Sequence, residues 1–268
     1  MPGRGEQGSN GRGRVVVSGV LRELTTRDDL VAACPGDAFA RWDPPDRLAA
    51  GFALDESVAY LRRSHSGRPT MNVWGPDIGP LLVRLRDGGV LSDLGAAWIS
   101  VPRDQIEVLE RTVSVRGGGE WDWMWTDTPP GPTSADDRLI TLDDSTDAAE
   151  ITNLLAENPR SEGYPGTGRA EVWLGIRDES GALVSCGAVH RLDSGTAHLA
   201  GIHTAERARG QGLGRAVTAG LTRWVLAREP VVTLGMYADS AAARRVYHSL
   251  GFRTDKEWSS RILVGRGT

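Results

Sequence analysis

Apolar positions recur at two spacings along the chain. Leu213, Val217, Leu221 and Trp224 fall at i, i+4, i+8 and i+11, one face of a helix. Ala243, Val246, Tyr247 and Leu250 share one face of a second helix over about 240–250, and Gly251 fits its left-handed stop. Residues 231–237 between them read as an apolar strand. Upstream, 138–142 suits a strand, and Asp143-Asp144-Ser145 leads into a helix over about 146–157 carrying Ala149, Ile151, Leu154 and Leu155. Residues 171–176 and 183–192 form an antiparallel hairpin around Asp178-Glu179-Ser180-Gly181; 197–204 is a third strand and 259–264 the last.

The first half alternates in the same way. Residues 15–20 are β-prone, and Thr26-Arg27-Asp28-Asp29 starts a helix that Trp42-Asp43-Pro44-Pro45 has ended. A helix is expected over 55–63, a strand over 71–74 closed by Gly75-Pro76, and a helix over 77–87 with Ile78, Leu81, Leu82 and Leu85 on one face. A strand over 97–101 and a short helix over 102–109 follow. Trp121, Trp123 and Trp125 alternate with Asp122 and Met124, so the tryptophans share one face of a strand. That face either packs between two halves of the molecule or walls a pocket, where rings can hold a cationic amine. Residues 126–137, with three prolines, read as a linker.

At 268 residues with 40% hydrophobic content, the chain suits two folded units of ordinary size. A net charge of -4 argues against a protein dominated by nucleic-acid or anionic-membrane binding. Only Lys256 among the 31 basic residues is lysine, a genome bias more than a functional choice. Cys34 and Cys186 lack the spacing of a metal site and read as buried thiols; no metal is expected. No apolar run reaches the roughly 18 residues of a membrane span, and Gly- and Arg-rich residues 1–14 lack the core of a secretory signal. They read as a disordered tail on a cytoplasmic protein.

One stretch carries chemistry. Arg209-Gly210-Gln211-Gly212-Leu213-Gly214 joins the strand at 197–204 to a helix. Glycines at alternate positions let backbone N–H groups and the positive helix end approach a pyrophosphate. This Arg-x-x-Gly-x-Gly loop, followed by Ala243-x-x-x-Tyr247-x-x-Leu250-Gly251-Phe252, resembles the GCN5-related N-acetyltransferase (GNAT) superfamily. The resemblance implies an α/β (α+β) GNAT fold, with a mixed, mostly antiparallel sheet flanked by helices. From residue 138 onward the expected elements make one complete catalytic core, 138–268. The order of elements over 15–125 is similar to the first half of glycine-acyltransferase-like and FR47-like proteins. That region is either a degenerate GNAT-like copy in tandem, the favoured reading, or an unrelated α/β cap.

The resemblance also implies acetyl-CoA as co-substrate. Its contacts would fall on Ile202, His203 and Thr204 of the strand, on Arg209, Gly210, Gln211, Gly212, Leu213, Gly214 and Arg215 of the loop, and on Ser240, Ala243 and Tyr247 of the last helix. Ser240 departs from the family's asparagine, and its side chain is shorter in reach. Tyr247 would protonate the departing thiolate, or only pack against CoA. His198 stands where the family often has a carboxylate base; it would deprotonate the amine, or simply fill a half-buried strand, with His190 and His203 as alternatives. Acceptor contacts are expected from Trp123, Trp125 and Tyr164, the last in the Gly- and Pro-rich segment 159–168. The expected activity is acyl transfer to the primary amine of a small molecule by direct attack. Transfer to a protein or aminoacyl-tRNA amine, and a non-catalytic acyl-CoA-binding module, stand as alternatives. No nucleic-acid or membrane partner is expected, and a monomer is favoured over a homodimer, because a tandem can complete its packing internally.

Overall fold

Residues 19–63 and 67–264 are described by a computed structural model of the chain. The tail 1–14 and most of the β-prone run at 15–20 lie outside them. The first half runs β1 (Arg22–Glu23), α1 (Arg27–Ala33), α2 (Ala38–Trp42), β2 (Gly51–Leu54), β3 (Ser57–Arg63), β4 (Pro69–Trp74), α3 (Gly79–Asp87), α4 (Val90–Asp93), β5 (Trp98–Pro102), α5 (Ile106–Thr112) and β6 (Val115–Thr126). The second runs β7 (Ile140–Leu142), α6 (Ala148–Leu155), β8 (Val172–Arg177), β9 (Leu183–Arg191), β10 (Ala197–Thr204), α7 (Leu213–Leu226), β11 (Val232–Tyr237), α8 (Ala241–Ser249) and β12 (Arg253–Leu263).

Local chemistry accounts for most of these boundaries. Thr26 and Asp29 form a capping box at the start of α1, and Asp37 caps α2 through the Ala40 N–H. Residues 55–63 are not a helix: Asp55 takes a positive φ of 51° and turns β2 into β3, an antiparallel hairpin pairing Leu54 with Ser57. Apolar residues at 58–61 fit either period, and burial from Ser57 through Tyr60 beneath the helices and neighbouring strands decides for a strand.

All strands join one 12-stranded sheet in the order β1-β2-β3-β4-β5-β12-β6-β11-β10-β9-β8-β7. Read inward from either edge, the order is the same. Each half's fourth strand pairs with its fifth in parallel, β4 with β5 and β10 with β11, and its sixth crosses to the other half. Thus β12 lies antiparallel between β5 and β6, and β6 between β12 and β11.

Lateral register separates the two faces. Trp121, Trp123 and Trp125 pair with Tyr237, Gly235 and Thr233, and Thr233 pairs with His198, which pairs with His190. On this face α1 and α2 bury Trp123, Trp258, Trp74 and Tyr60 around Phe39. Met124 and Leu234 turn to the other face, into an apolar cluster with α7 and Tyr247 of α8. Each buried Leu or Val of α7 contributes about 1.5–3 kcal/mol, enough to hold the helix and the loop before it against the sheet.

Candidate active site

The parallel ladder between β10 and β11 holds only at its start. His198 pairs with Thr233 and Leu199 with Leu234, and there the ladder ends, although β10 runs on to Thr204 and β11 to Tyr237. A bulge in β10 between Ala200 and His203 shifts its register on β9. Gly201 sits in it with φ 60°, and the extra residue bends the strand away from β11. The gap exposes β10's backbone edge, to which an extended arm can add as a strand would.

The glycine loop lies at the far end of that edge. Gly210 and Gly212 have φ of 79° and 76°, and Gly212 is the left-handed N-cap of α7, with no side chain capping the helix. The positive end of a 14-residue helix therefore faces the loop. A Cβ on Gly214 would stand 2.9 Å from Thr204 Oγ1, so a larger residue would push the loop off β10. Thr204 in turn shares a hydrogen bond of 2.9 Å with Ser185 Oγ. Leu213 is buried and anchors the helix, whereas Arg209, Gln211 and Arg215 are exposed. An open groove of about 570 Å³ beside the loop is lined by Glu157, Glu206, Arg207 and Arg209. Backbone donors, the helix end and the exposed Arg209 and Arg215 fit the pyrophosphate of an acyl-CoA.

Tyr247 is buried on α8 with its ring 6.0 Å from that of Phe252; burial pushes its phenol up to about 12. It therefore keeps its proton throughout the neutral range. Ala243 lies one turn earlier, half-buried against the same cluster. Ser240 occupies the N-cap of α8 but makes no capping bond; its hydroxyl lies 3.4 Å from Asp239 Oδ1. Asp239 is held by Arg160 in a bidentate pair at 3.0 and 3.1 Å. Ile202 packs half-buried against the core, and His203 is buried with Nε2 3.5 Å from Glu157 Oε2.

His198 lies on the aromatic face, buried, with Nδ1 2.9 Å from Thr233 Oγ1. Thr233 donates its one hydroxyl proton to the Ala197 carbonyl at 3.0 Å. It must then accept from His198, which places the imidazole proton on Nδ1 and the lone pair on Nε2. Nothing in the local sequence marks Thr233 for this task, because the pairing is made by register 35 residues away. His190 beside it is held below its ordinary value chiefly by burial, and its ring lies 6.3 Å from those of Tyr164 and Trp173.

The tryptophan strand divides differently from expectation. Trp123 is fully buried, edge-on to Phe39 at 5.3 Å, and so cannot wall a pocket. Trp125 is half-buried with the Arg253 guanidinium 3.8 Å from its ring centre. Trp121 is the ring left toward the cleft, beside Tyr237 in register and beneath Arg62 at 5.6 Å. Tyr164, whose ring carries the Arg169 guanidinium at 4.8 Å, borders the same cleft through His190. The structure thus brings His198, Tyr164 and the Trp121–Tyr237 pair to one face, and the glycine loop and Tyr247 to the other side of the β10–β11 gap.

An FR47-like protein family model matches residues 173–261. A mycothiol acetyltransferase from Mycobacterium sp. (strain MCS) is 31% identical over 274 residues, covering 87% of this chain and 90% of that relative. Among solved structures, a GNAT-family acetyltransferase from Novosphingobium aromaticivorans is similar with 23% identity and a TM-score of 0.51, over 89% of this chain and 97% of that one. A tandem GNAT protein from the clavulanic acid biosynthesis pathway is similar over 93% of this chain and all of its own, with 16% identity and a TM-score of 0.50.

Proposed function

The chain belongs to the GCN5-related N-acetyltransferase superfamily and is an N-acetyltransferase, and from that premise we propose that it acetylates the primary amine of a small molecule with acetyl-CoA. The observation that carries this reading is the parting of β10 from β11 directly above the glycine loop. It leaves a length of β10 unpaired on its β11 side, to which an extended arm can add, with an anion cradle at one end. Similarity to mycothiol acetyltransferase supports a small-molecule acceptor.

Acetyl-CoA supplies an activated thioester, and the remaining tasks fall to the chain. Backbone N–H groups of the 209–214 loop, with Arg209 and Arg215, hold the pyrophosphate. The free edge of β10 at the bulge aligns the pantetheine arm and offers an N–H to the carbonyl. On the opposite face, His198 Nε2 is a base for the amine. Tyr247 keeps a proton available for the leaving sulfur. The first half, with the same strand order as the second, reads as a degenerate copy that contributes β6 and a wall of the acceptor cleft rather than a second cofactor site.

Thermal shift with acetyl-CoA, followed by thiol release with tyramine, glucosamine or L-cysteine methyl ester, tests the reading. Stabilisation and release of CoA on adding an amine are expected. Absence of both would remove the reading altogether.

A further inference from the structure

Residues 162–164 cross the aromatic face at the mouth of the parted strands. Gly163 is pressed onto the β10 bulge: a Cβ there would stand 3.3 Å from Gly201 Cα and 2.8 Å from the Trp173 ring. The Gly163 backbone also hydrogen-bonds His190, and the Tyr164 ring packs beside the same imidazole. Glu162 is thus carried one residue from the bulge. From the far side of the gap, its charge reaches Tyr237 at the end of β11. Arg62 of β3 and Arg68, just before β4, act on it from the first half. Glu162 therefore lies beside the opening between β10 and β11, on the face opposite α8, within electrostatic reach of Tyr237, Arg62 and Arg68. Other carboxylates bordering this face are already engaged, Asp43 by Arg62, Asp144 by Trp173 Nε1 and Asp239 by Arg160. Among the described residues, no hydrogen bond or ion pair engages Glu162.

We propose that Glu162 is the docking site for the acceptor's ammonium group and takes its first proton. This inference rests on the transferase reading above and names a residue of that site. A primary alkylammonium with a pKa of about 10 must lose a proton before nitrogen can attack, and a carboxylate at the mouth of the gap both attracts the cation and accepts that proton. Glu162 is exposed, so an incoming cation can reach it; its partly desolvated surroundings raise the carboxyl above its usual range, while Arg68 and Arg62 pull the other way. The proton balance closes. One nitrogen proton passes to Glu162 and a second to His198 Nε2; the nitrogen lone pair forms the C–N bond. The C–S pair leaves on sulfur, which takes the Tyr247 proton. Returning one of the two nitrogen protons to Tyr247 leaves one released to water.

The test compares wild type, Glu162→Gln and Glu162→Asp, with tyramine as the ammonium probe, from pH 6 to 9. The charged and titratable groups acting on or affected by Glu162 are Arg62, Arg68, Tyr164 and Tyr237, with His190 behind Tyr164 and His198 beside His190 in register. All of them remain in the three proteins, so only a change confined to the variants reports on Glu162. Glu162→Gln is expected to lower kcat/KM for tyramine on the order of 100-fold, to raise its KM, and to remove the part of the low-pH fall that Glu162 causes. The Kd for acetyl-CoA, read by calorimetry, should stay unchanged and shows that the variant is folded. Glu162→Asp should restore part of the activity. An active wild type matched by Glu162→Gln in tyramine KM and pH profile overturns the assignment and leaves the transferase reading intact. A wild type that releases no CoA with tyramine, glucosamine or L-cysteine methyl ester sinks the transferase reading, and Glu162's role with it.

Discussion

Tyr247 and His198, the proposed acid and base, lie on opposite faces of a single sheet, with the gap between β10 and β11 between them. Replacing Tyr247 by phenylalanine removes a proton donor without opening a cavity. Turnover should fall by about 10²–10⁴-fold while calorimetry shows little change in acetyl-CoA affinity. The phenol, raised to about 12 by burial, also couples to stability. The folded protein keeps this proton above pH 10 where the unfolded chain has lost it, so the contribution is whole below pH 10 and disappears as pH rises towards 12. At about 1.4 kcal/mol per pH unit, applied from about pH 10 to 11.5, Tyr247→Phe should lessen the alkaline loss by about 2 kcal/mol between urea melts at pH 9 and 11.5. Gly212→Ala places a side chain at φ 76°, costs about 1–2 kcal/mol, and should weaken acetyl-CoA binding at least several-fold by calorimetry. The loop and Tyr247 were legible in the sequence because each is local: spacing alone gives the helix face and the glycine pattern. Thr233 and Glu162 were not, because register and a loop crossing place them. Trp123 misled for a related reason; alternation gave its face correctly but could not say that Phe39 would cover it.

Between elements, the firmest tie is a buried carboxylate. Asp122 of β6 is fully buried, accepts from Arg103 of the first half at 2.6 Å and is ion-paired with Arg244 of α8. Arg244 also donates to the Ala238 carbonyl at 2.9 Å, so this cluster fixes the turn into α8. Neutralising the carboxylate leaves Arg103 to Glu120 and Glu257, and Arg244 to Glu257. Asp122→Asn should cost about 1–3 kcal/mol in a denaturant titration and loosen acetyl-CoA binding as the turn before α8 relaxes. The first half's counterpart of the glycine loop is filled from within. Gln105 Oε1 accepts from the Ile78 N–H at 3.2 Å, its Nε2 donates to Gly75 O at 2.8 Å, and Asp77 accepts from the Gly79 N–H at 3.1 Å. With Pro80 also at the start of α3, few backbone donors remain for a phosphate. Calorimetry should give one acetyl-CoA per chain; a second site would contradict the plugged loop. Most elements here followed from period and caps. The β2–β3 hairpin did not, since an apolar run of four residues fits a strand or a helix turn equally well and tertiary burial made the choice.

On the scale of the molecule, the exchange of final strands makes the halves interdependent. Each half was readable as an ordered series of strands and helices, yet nothing in that order showed that β6 and β12 would change places, because the exchange lies in pairing and not in local propensity. Its consequence is physical. Strand β6 sends Trp123 into the first half's aromatic core and Met124 and Asp122 towards α7 and α8. A fragment of residues 138–268 holds every expected catalytic element but lacks β6, which leaves facing edges of β11 and β12 without the strand between them. Such edges recruit other chains. That fragment should therefore be unfolded or self-associated, with no monomer by light scattering and a weak near-ultraviolet circular dichroism signal. A fragment starting at residue 113 regains β6 and should recover cooperative unfolding, though β12 then lacks β5. The intact chain satisfies both edges internally and should run as a monomer. A 138–268 fragment that folded as a monomer and bound acetyl-CoA as tightly as the whole chain would mean that the borrowed strand is dispensable, and the first half would then be needed only for its side of the acceptor cleft.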